Sequence, residues 1–129
     1  FGFTKESTDA VYGEEDITHT KVSFVIPCYR SARTIEGVVD EIRETMEQIP
    51  KYVYDIVLVN DCSPDNTFEV IQQLCSRYDN ITGIDFAKNF GQHAALMAGL
   101  RNADGDIVVC LDDDGQTPAN EVGKLLSGL

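Results

Sequence analysis

Short apolar runs alternate along most of this chain with segments whose apolar residues recur every three to four positions. The apolar runs predict four buried strands, at residues 22–26, 56–59, 81–86 and 107–111. The periodic segments predict helices, at residues 34–49, after Asp65 or Asn66, at residues 92–101 and from Pro118 onward. Near-continuous apolar strands that alternate with helices are typical of a parallel sheet covered on both faces. We therefore predict an α/β fold, with a Rossmann-like, mostly parallel sheet flanked by helices.

The order of these elements also predicts where a functional site lies. Right-handed crossovers bring the loops that follow all four strands to the same edge of the sheet. These loops cover residues 27–33, 61–66, 87–91 and 112–118. Ligands of open α/β sheets bind outside the carboxyl ends of the strands. We therefore expect the binding residues to lie in these four loops.

An acidic run follows the last predicted strand directly. Asp112, Asp113 and Asp114 are consecutive, and Gln116 follows them. Clustered carboxylates repel one another unless a cation neutralises them. Oxygen ligands from Asp and Gln suit a hard divalent ion such as Mg²⁺ or Mn²⁺. The alternative is an acidic turn that is merely solvated.

Composition and charge narrow the class of protein. A chain of 129 residues is long enough for one modest domain. Residues 1–20 are polar, acidic and without period, so we expect a disordered lead there and one domain over residues 21–129. The formal net charge of −12 argues against a nucleic-acid-binding surface and against direct electrostatic docking to anionic lipid. It does not exclude an anionic substrate, because a bound metal inverts the local charge.

The cysteines and the chain ends carry three further expectations. None of the four cysteines has Cys-x-x-Cys spacing, which disfavours a zinc site and favours reduced thiols in the cytoplasm. The sequence shows no signal peptide and no apolar run near the roughly 20 residues of a membrane helix. Because it begins at Phe1 and stops at Leu129, after a short helical pattern, we expect an N-terminal fragment truncated at its C-terminus.

Three of the edge segments together resemble glycosyltransferase family 2. Residues 25–29 resemble the opening strand of that family with its Pro-x-Tyr, and residues 57–67 resemble its second strand and acidic Ser/Thr loop. Residues 111–116 resemble its metal-binding Asp-x-Asp, here in the form Asp-x-Asp-x-Gln. A fourth segment, residues 88–100, is similar to the polyprenyl-phosphate branch, which includes dolichol-phosphate mannose synthase and bacterial undecaprenyl-phosphate sugar transferases. The resemblance covers residues 22 to about 121.

The resemblance implies a nucleotide-sugar-binding GT-A fold and an inverting, metal-dependent hexosyltransferase. Its donor would be a UDP- or GDP-sugar, and its acceptor an undecaprenyl or dolichyl phosphate of the cell envelope. The full-length protein would then work at the cytoplasmic face of the membrane, and its membrane contact would lie in C-terminal segments beyond Leu129. The family's catalytic base, where one exists, also falls beyond Leu129. We therefore expect this chain to bind donor and metal without turning over.

The resemblance also implies roles for individual residues. Pro27 and Tyr29 would line the base and ribose, and Asp61 would accept a hydrogen bond from a base N–H. Asp112 would contact the ribose or help to hold the metal. The metal would be Mg²⁺ or Mn²⁺. Its other two protein ligands would be Asp114 and Gln116.

Other polar residues near the edge have less specific patterns. Lys88 could meet a phosphate or be a solvated loop lysine, and His93 at a helix start favours a structural or solvated role. Asp65 is expected to cap a helix. Asp113 is left out of the metal site, because successive side chains of an extended segment point in opposite directions.

Two positions depart from the family pattern. Arg30-Ser31 stands where the family often has Asn-Glu, and Asn60 replaces the first Asp of the second loop. Both changes remove negative charge near the predicted nucleotide. The base of the donor is therefore not carried over from the resemblance.

Three other functions compete with this prediction. A family 2 transferase could act on a saccharide hydroxyl, which needs a general base, whereas a polyprenyl phosphate is already anionic and needs none. A receiver-type regulatory domain also gathers acids around Mg²⁺, but its acids should follow the first strand, where Pro27-Cys28-Tyr29 stands. A dinucleotide-binding domain lacks support, because no Gly-x-Gly-x-x-Gly follows a strand.

Overall fold

A mostly parallel five-stranded sheet, in the order β1-β5-β2-β3-β4, organises the computed structural model of the chain, which describes residues 2–5, 20–115 and 119–128. Strands β2 to β5 pair in parallel, and β1 pairs antiparallel with β5 at one edge. The elements in chain order are β1 Gly2–Lys5, β2 Thr20–Cys28, α1 Ile35–Glu47, β3 Tyr52–Asn60, α2 Thr67–Arg77, β4 Ile81–Asp85, α3 Gln92–Asn102, β5 Ile107–Cys110 and α4 Ala119–Ser127. The predicted α/β fold is confirmed.

The expectation that residues 1–20 lack regular structure is wrong for strand β1. Gly2–Lys5 pair with Ile107–Cys110 of β5, and Thr20 already belongs to β2. Residues 6–19 lie outside the described residues. The pattern gave no sign of β1 because its partner lies more than a hundred positions further along the chain. Pairing across that separation is a tertiary effect that local periodicity does not contain.

The helices cover the two faces of the sheet unequally. Helices α1, α2 and α4 pack on one face, where Phe24, Leu58 and Val109 of three neighbouring strands are buried. Helix α3 lies on the other face, against Val57 and Val59 of β3. Because alternate residues of a strand point to opposite faces, strands covered on both sides read as unbroken apolar runs. This is the reason that β2, β3 and β5 were visible in the sequence, whereas the edge strand β4 is fully buried only at Ile81.

Strand β2 runs through Pro27, where the sequence analysis expected it to end. The carbonyl groups of Lys21 and Val25 accept backbone hydrogen bonds from Asp106 and Leu111, so the odd-numbered residues of β2 face β5. Pro27 has the same orientation but lies past the end of the β2–β5 register. Its missing N–H therefore interrupts no hydrogen bond of the ladder.

Candidate functional site

A cavity of about 310 Å³ opens at the carboxyl ends of the parallel strands. Three of the predicted nucleotide-binding residues, Pro27, Tyr29 and Asp61, lie on its wall, together with side chains that the sequence analysis did not select. The full lining is Pro27, Cys28, Tyr29, Asp61, Asn89, Gly91, Gln92, Ala95 and Asp113. The topological prediction of a cleft at this edge thus agrees with the structure, while the nucleotide contacts themselves stay predictions.

Asp61 holds the loop that leads into α3. Its side chain is only 4% exposed, and its two carboxylate oxygens accept hydrogen bonds from the backbone N–H groups of Phe90, at 2.8 Å, and Gly91, at 3.0 Å. Gly91 has a φ of +97°, which a residue with a side chain rarely adopts. A carboxylate oxygen can accept more than one hydrogen bond. Asp61 can therefore fix this wall of the cavity and still accept a bond from a ligand N–H.

Asn60 faces the end of β4 and is buried. Its Oδ1 accepts hydrogen bonds from the hydroxyl of Ser63, at 2.5 Å, and from the Ser63 backbone N–H, while its Nδ2 donates to the carboxylate of Asp85 at 2.8 Å. The position thus needs both an acceptor and a donor, which an amide has and a carboxylate lacks. Asn60 departs from the family pattern, and the neighbouring Asp85 accepts the hydrogen bond that its amide donates.

Substitution Asn60→Asp is expected to destabilise the fold by about 1–3 kcal/mol, because it removes a buried donor and sets two carboxylates side by side. The deficit should be largest at neutral pH and shrink in acid, where one carboxyl takes up a proton. Urea unfolding at pH 7 and at pH 4 measures both effects. The exchanged pair Asn60→Asp with Asp85→Asn restores one donor and one acceptor and should recover most of the loss; no recovery would contradict the pairing.

The second carboxylate on the cavity wall is Asp113, which the sequence analysis left out of the site. That exclusion held only if the segment after β5 stays extended, and instead the chain turns at residues 113–115, with Gly115 at a φ of +79°. The Asp113 carboxylate accepts a hydrogen bond from the Tyr29 backbone N–H at 2.9 Å. Burial raises the pKa of Asp113, and the hydrogen bond from Tyr29 partly opposes that rise.

The predicted metal ligands lie along the same loop but not in the same cavity. Asp112 is partly exposed at the end of β5, whereas Asp114 is exposed and lines a neighbouring cavity of about 320 Å³ with Arg33 and Thr34. Gln116 lies outside the described residues. Within the part of the chain that the structure describes, no three His, Cys, Asp or Glu side chains cluster closely enough to hold a metal ion by themselves.

Arg30 lies next to Tyr29, a residue of the cavity wall. It adopts a left-handed backbone with a φ of +56°, and its N–H donates to the hydroxyl of Ser63 at 3.1 Å. Its guanidinium carbon lies 5.4 Å from the centre of the Tyr29 ring, which is 43% exposed. Such backbone strain in a residue other than glycine is typical of functional loops. A positive charge thus lies beside an aromatic residue of the cavity wall.

The remaining candidates occupy less central places. Lys88 is exposed in the loop before α3, and His93 is exposed in the first turn of α3. The predicted cap at Asp65 lies one residue too early, because the N-cap of α2 is Asn66; Asp65 accepts a hydrogen bond from the Thr67 N–H just after it. Two cavity residues that the sequence analysis did not select, Asn89 and Gln92, lie in the segment that suggested the polyprenyl-phosphate branch. The resemblance of that segment to the branch is the sequence signal from which these two residues could have been predicted.

The family model for "Glycosyl transferase family 2" matches residues 23–129. The chain belongs to this family. It is 35% identical over 108 residues to the undecaprenyl-phosphate 4-deoxy-4-formamido-L-arabinose transferase of Proteus mirabilis (strain HI4320), an alignment that covers 83% of this chain and 33% of that protein. The namesake of Pseudomonas syringae pv. syringae (strain B728a) is 35% identical over 106 residues, which are 81% of this chain and 31% of that protein. The chain thus spans about a third of the length of the curated relatives it matches.

Solved structures share the fold of this chain. The mannosyltransferase PcManGT from Pyrobaculum calidifontis, in complex with GDP-Man and Mn²⁺, is 29% identical with a TM-score of 0.67, over 83% of this chain and 32% of that one. The S. aureus TarS fragment 1–349 in complex with UDP-GlcNAc is 23% identical with a TM-score of 0.61, over 73% and 26% respectively, and supports the fold alone. Among the helices described here, none has the length and apolarity to cross a membrane.

Proposed function

We propose that this chain forms the donor-binding part of a glycosyltransferase that moves a sugar from a nucleoside diphosphate to a polyprenyl phosphate. The observation that carries the proposal is the cavity at the carboxyl ends of the parallel strands, walled by Pro27, Tyr29 and Asp61 and bordered by the acidic loop. Membership in family 2 and the undecaprenyl-phosphate transferases among the relatives support the same function. Neither the family match nor these relatives support the receiver-type alternative.

The nucleotide would occupy this cavity. Tyr29 offers a half-exposed ring for contact with the base or ribose, and Asp61 offers acceptor oxygens to a base N–H. Arg30 and Lys88 are exposed, each next in sequence to a residue of the cavity lining, and their positive charges would attract the donor diphosphate. UDP and GDP both carry a base N–H that can donate a hydrogen bond to a carboxylate. Both nucleotides are therefore used in the tests below.

A divalent cation, Mg²⁺ or Mn²⁺, fits the donor set of the acidic loop. Asp112 and Asp114 would hold it, together with Gln116. A cation that binds a phosphate substrate needs only one or two protein carboxylates, since phosphate oxygens and water complete its shell. The described carboxylates therefore suffice without a closed cage. The bound ion would supply Lewis-acid stabilisation for the departing nucleoside diphosphate.

The acceptor would be an undecaprenyl or dolichyl phosphate. A phosphate monoester has a second pKa of about 6, so its attacking oxygen is largely anionic at neutral pH and needs no general base. A saccharide hydroxyl would need one. Attack opposite to the leaving group inverts the anomeric centre. Such an acceptor is a membrane lipid, so the whole enzyme would work at a membrane surface, and we propose the cytoplasmic face.

The acceptor is tested with the natural protein expressed from its complete gene. Membranes that contain it are incubated with radiolabelled UDP- or GDP-sugars, with and without added undecaprenyl phosphate. The proposal expects label in the organic phase that rises with added lipid phosphate and disappears on mild acid hydrolysis. Label that stays on a water-soluble or polymeric saccharide would instead support the transferase that acts on a hydroxyl.

A further inference from the structure

Asp113 joins two loops at the edge of the sheet. Its carboxylate accepts the N–H of Tyr29 at 2.9 Å, and its backbone carbonyl accepts the hydroxyl of Thr34 at 2.6 Å. Tyr29 lies at the start of the β2–α1 loop and Thr34 at its end, directly before α1. Asp113, in the acidic loop, therefore binds both ends of the β2–α1 loop.

The bond to Tyr29 lies where the β2–β5 ladder stops. The Leu111 N–H donates to the Val25 carbonyl, and the register of the two strands ends there. Pro27, the next residue of β2 that faces β5, has no N–H to offer. Tyr29 is the following residue with that orientation, and its N–H donates a hydrogen bond to the carboxylate of Asp113. The Asp113 side chain thus links the two chain segments beyond the point where the β2–β5 register ends.

We propose that Asp113 is a positioning residue for the donor, whose hydrogen bond to the Tyr29 backbone fixes Tyr29 in place relative to the flanking Asp112 and Asp114. This inference rests on the proposed function, because Tyr29 and the two flanking carboxylates are the groups that would meet the nucleotide and the cation. Side chains that orient metal ligands typically contribute about 10–100-fold to metal affinity or activity. Asp113 lines the cavity and is half-buried, which suits a group that fixes a wall.

The test compares Asp113→Ala with Asp113→Asn in the 129-residue chain. Asparagine keeps an acceptor oxygen for the Tyr29 N–H, whereas alanine keeps none. With Mn²⁺ present, we expect alanine to weaken UDP or GDP binding by about 10–100-fold and asparagine to stay close to wild type. Hydrogen exchange of the Tyr29 amide is measured alongside, and its protection should be lost with alanine and kept with asparagine.

Three outcomes would overturn the inference. Lost Tyr29 protection with unchanged nucleotide affinity would make the contact structural only. An asparagine variant as weak as alanine, with Tyr29 still protected, would mean that the charge of Asp113 itself meets the ligand. If wild type bound neither nucleotide, the proposed function would fail, and a protected Tyr29 amide would reduce Asp113 to a structural contact.

Discussion

Substitution Asp61→Ala is expected to remove nucleotide binding and to cost about 2–4 kcal/mol of folding stability, the larger part from two backbone N–H groups left without a partner. The carboxylate is buried and accepts from Phe90 and Gly91, so its loss releases the wall of the cavity that leads into α3. Loss of the base contact alone should weaken UDP or GDP binding by about 10–100-fold. Urea unfolding and calorimetric titration measure the two effects separately.

Asp40→Ala is the matched control for Asp61. It removes the same charge from the exposed face of α1, away from the cavity lining, and should change stability by less than about 0.5 kcal/mol. Asp61→Asn should fall between the two, because its amide oxygen can accept from one N–H while its NH₂ faces the other. Unchanged exchange protection of Phe90 and Gly91 in Asp61→Ala would contradict the role given to this carboxylate.

Substitution Gly99→Ala is expected to destabilise the fold although alanine favours helices. A Cβ at this position in α3 would lie 2.3 Å from Cγ1 of the buried Val25 and 3.4 Å from Cγ2 of Val59. Overpacking of this kind costs about 1–3 kcal/mol, which exceeds the gain of about 1 kcal/mol in helix propensity. Because Ala95 and Gln92 of α3 line the cavity, the shifted helix should weaken nucleotide binding as well.

Gly37→Ala is expected to change the stability of the same protein in the opposite direction. Gly37 lies in α1, and a Cβ there meets no atom within 4 Å, so alanine should stabilise by up to about 1 kcal/mol. Both variants replace a helical glycine by alanine. They differ in that a Cβ at Gly99 would meet the sheet, whereas one at Gly37 would not. Denaturant midpoints compare them directly. An equal stabilisation by both would mean that α3 does not pack against Val25 as closely as described.

Local patterns predicted the elements of the fold well, because burial on both faces of a parallel strand leaves an unbroken apolar run. Helix α1 was predicted at residues 34–49 and is Ile35–Glu47, and β5 was predicted at residues 107–111 and is Ile107–Cys110. The cap of α2 was predicted only to within one residue, since Asp65 accepts from the Thr67 N–H while Asn66 is the N-cap. Strand β1 depends on a distant partner and was not.

The site was predictable as a place but only partly as a set of side chains. Topology brings the strand ends together, so the cavity lies where the order of elements puts it. The direction of Asp113 depends instead on a turn that ends at Gly115, and the role of Asp61 depends on backbone N–H groups about thirty residues away. Hydrogen bonds of this range leave no periodic trace in a sequence.

The central claim, a metal-dependent nucleotide site at this edge of the sheet, is tested most directly by calorimetric titration of UDP and GDP into the chain, with and without Mn²⁺. Asp114→Ala is titrated in parallel, and Asp40→Ala is the control for a lost surface charge. The account predicts that one nucleotide binds only when Mn²⁺ is present, that Asp114→Ala abolishes this binding, and that Asp40→Ala does not. Failure of the folded wild-type chain to bind either nucleotide, or binding that neither Mn²⁺ nor Asp114→Ala changes, would contradict it.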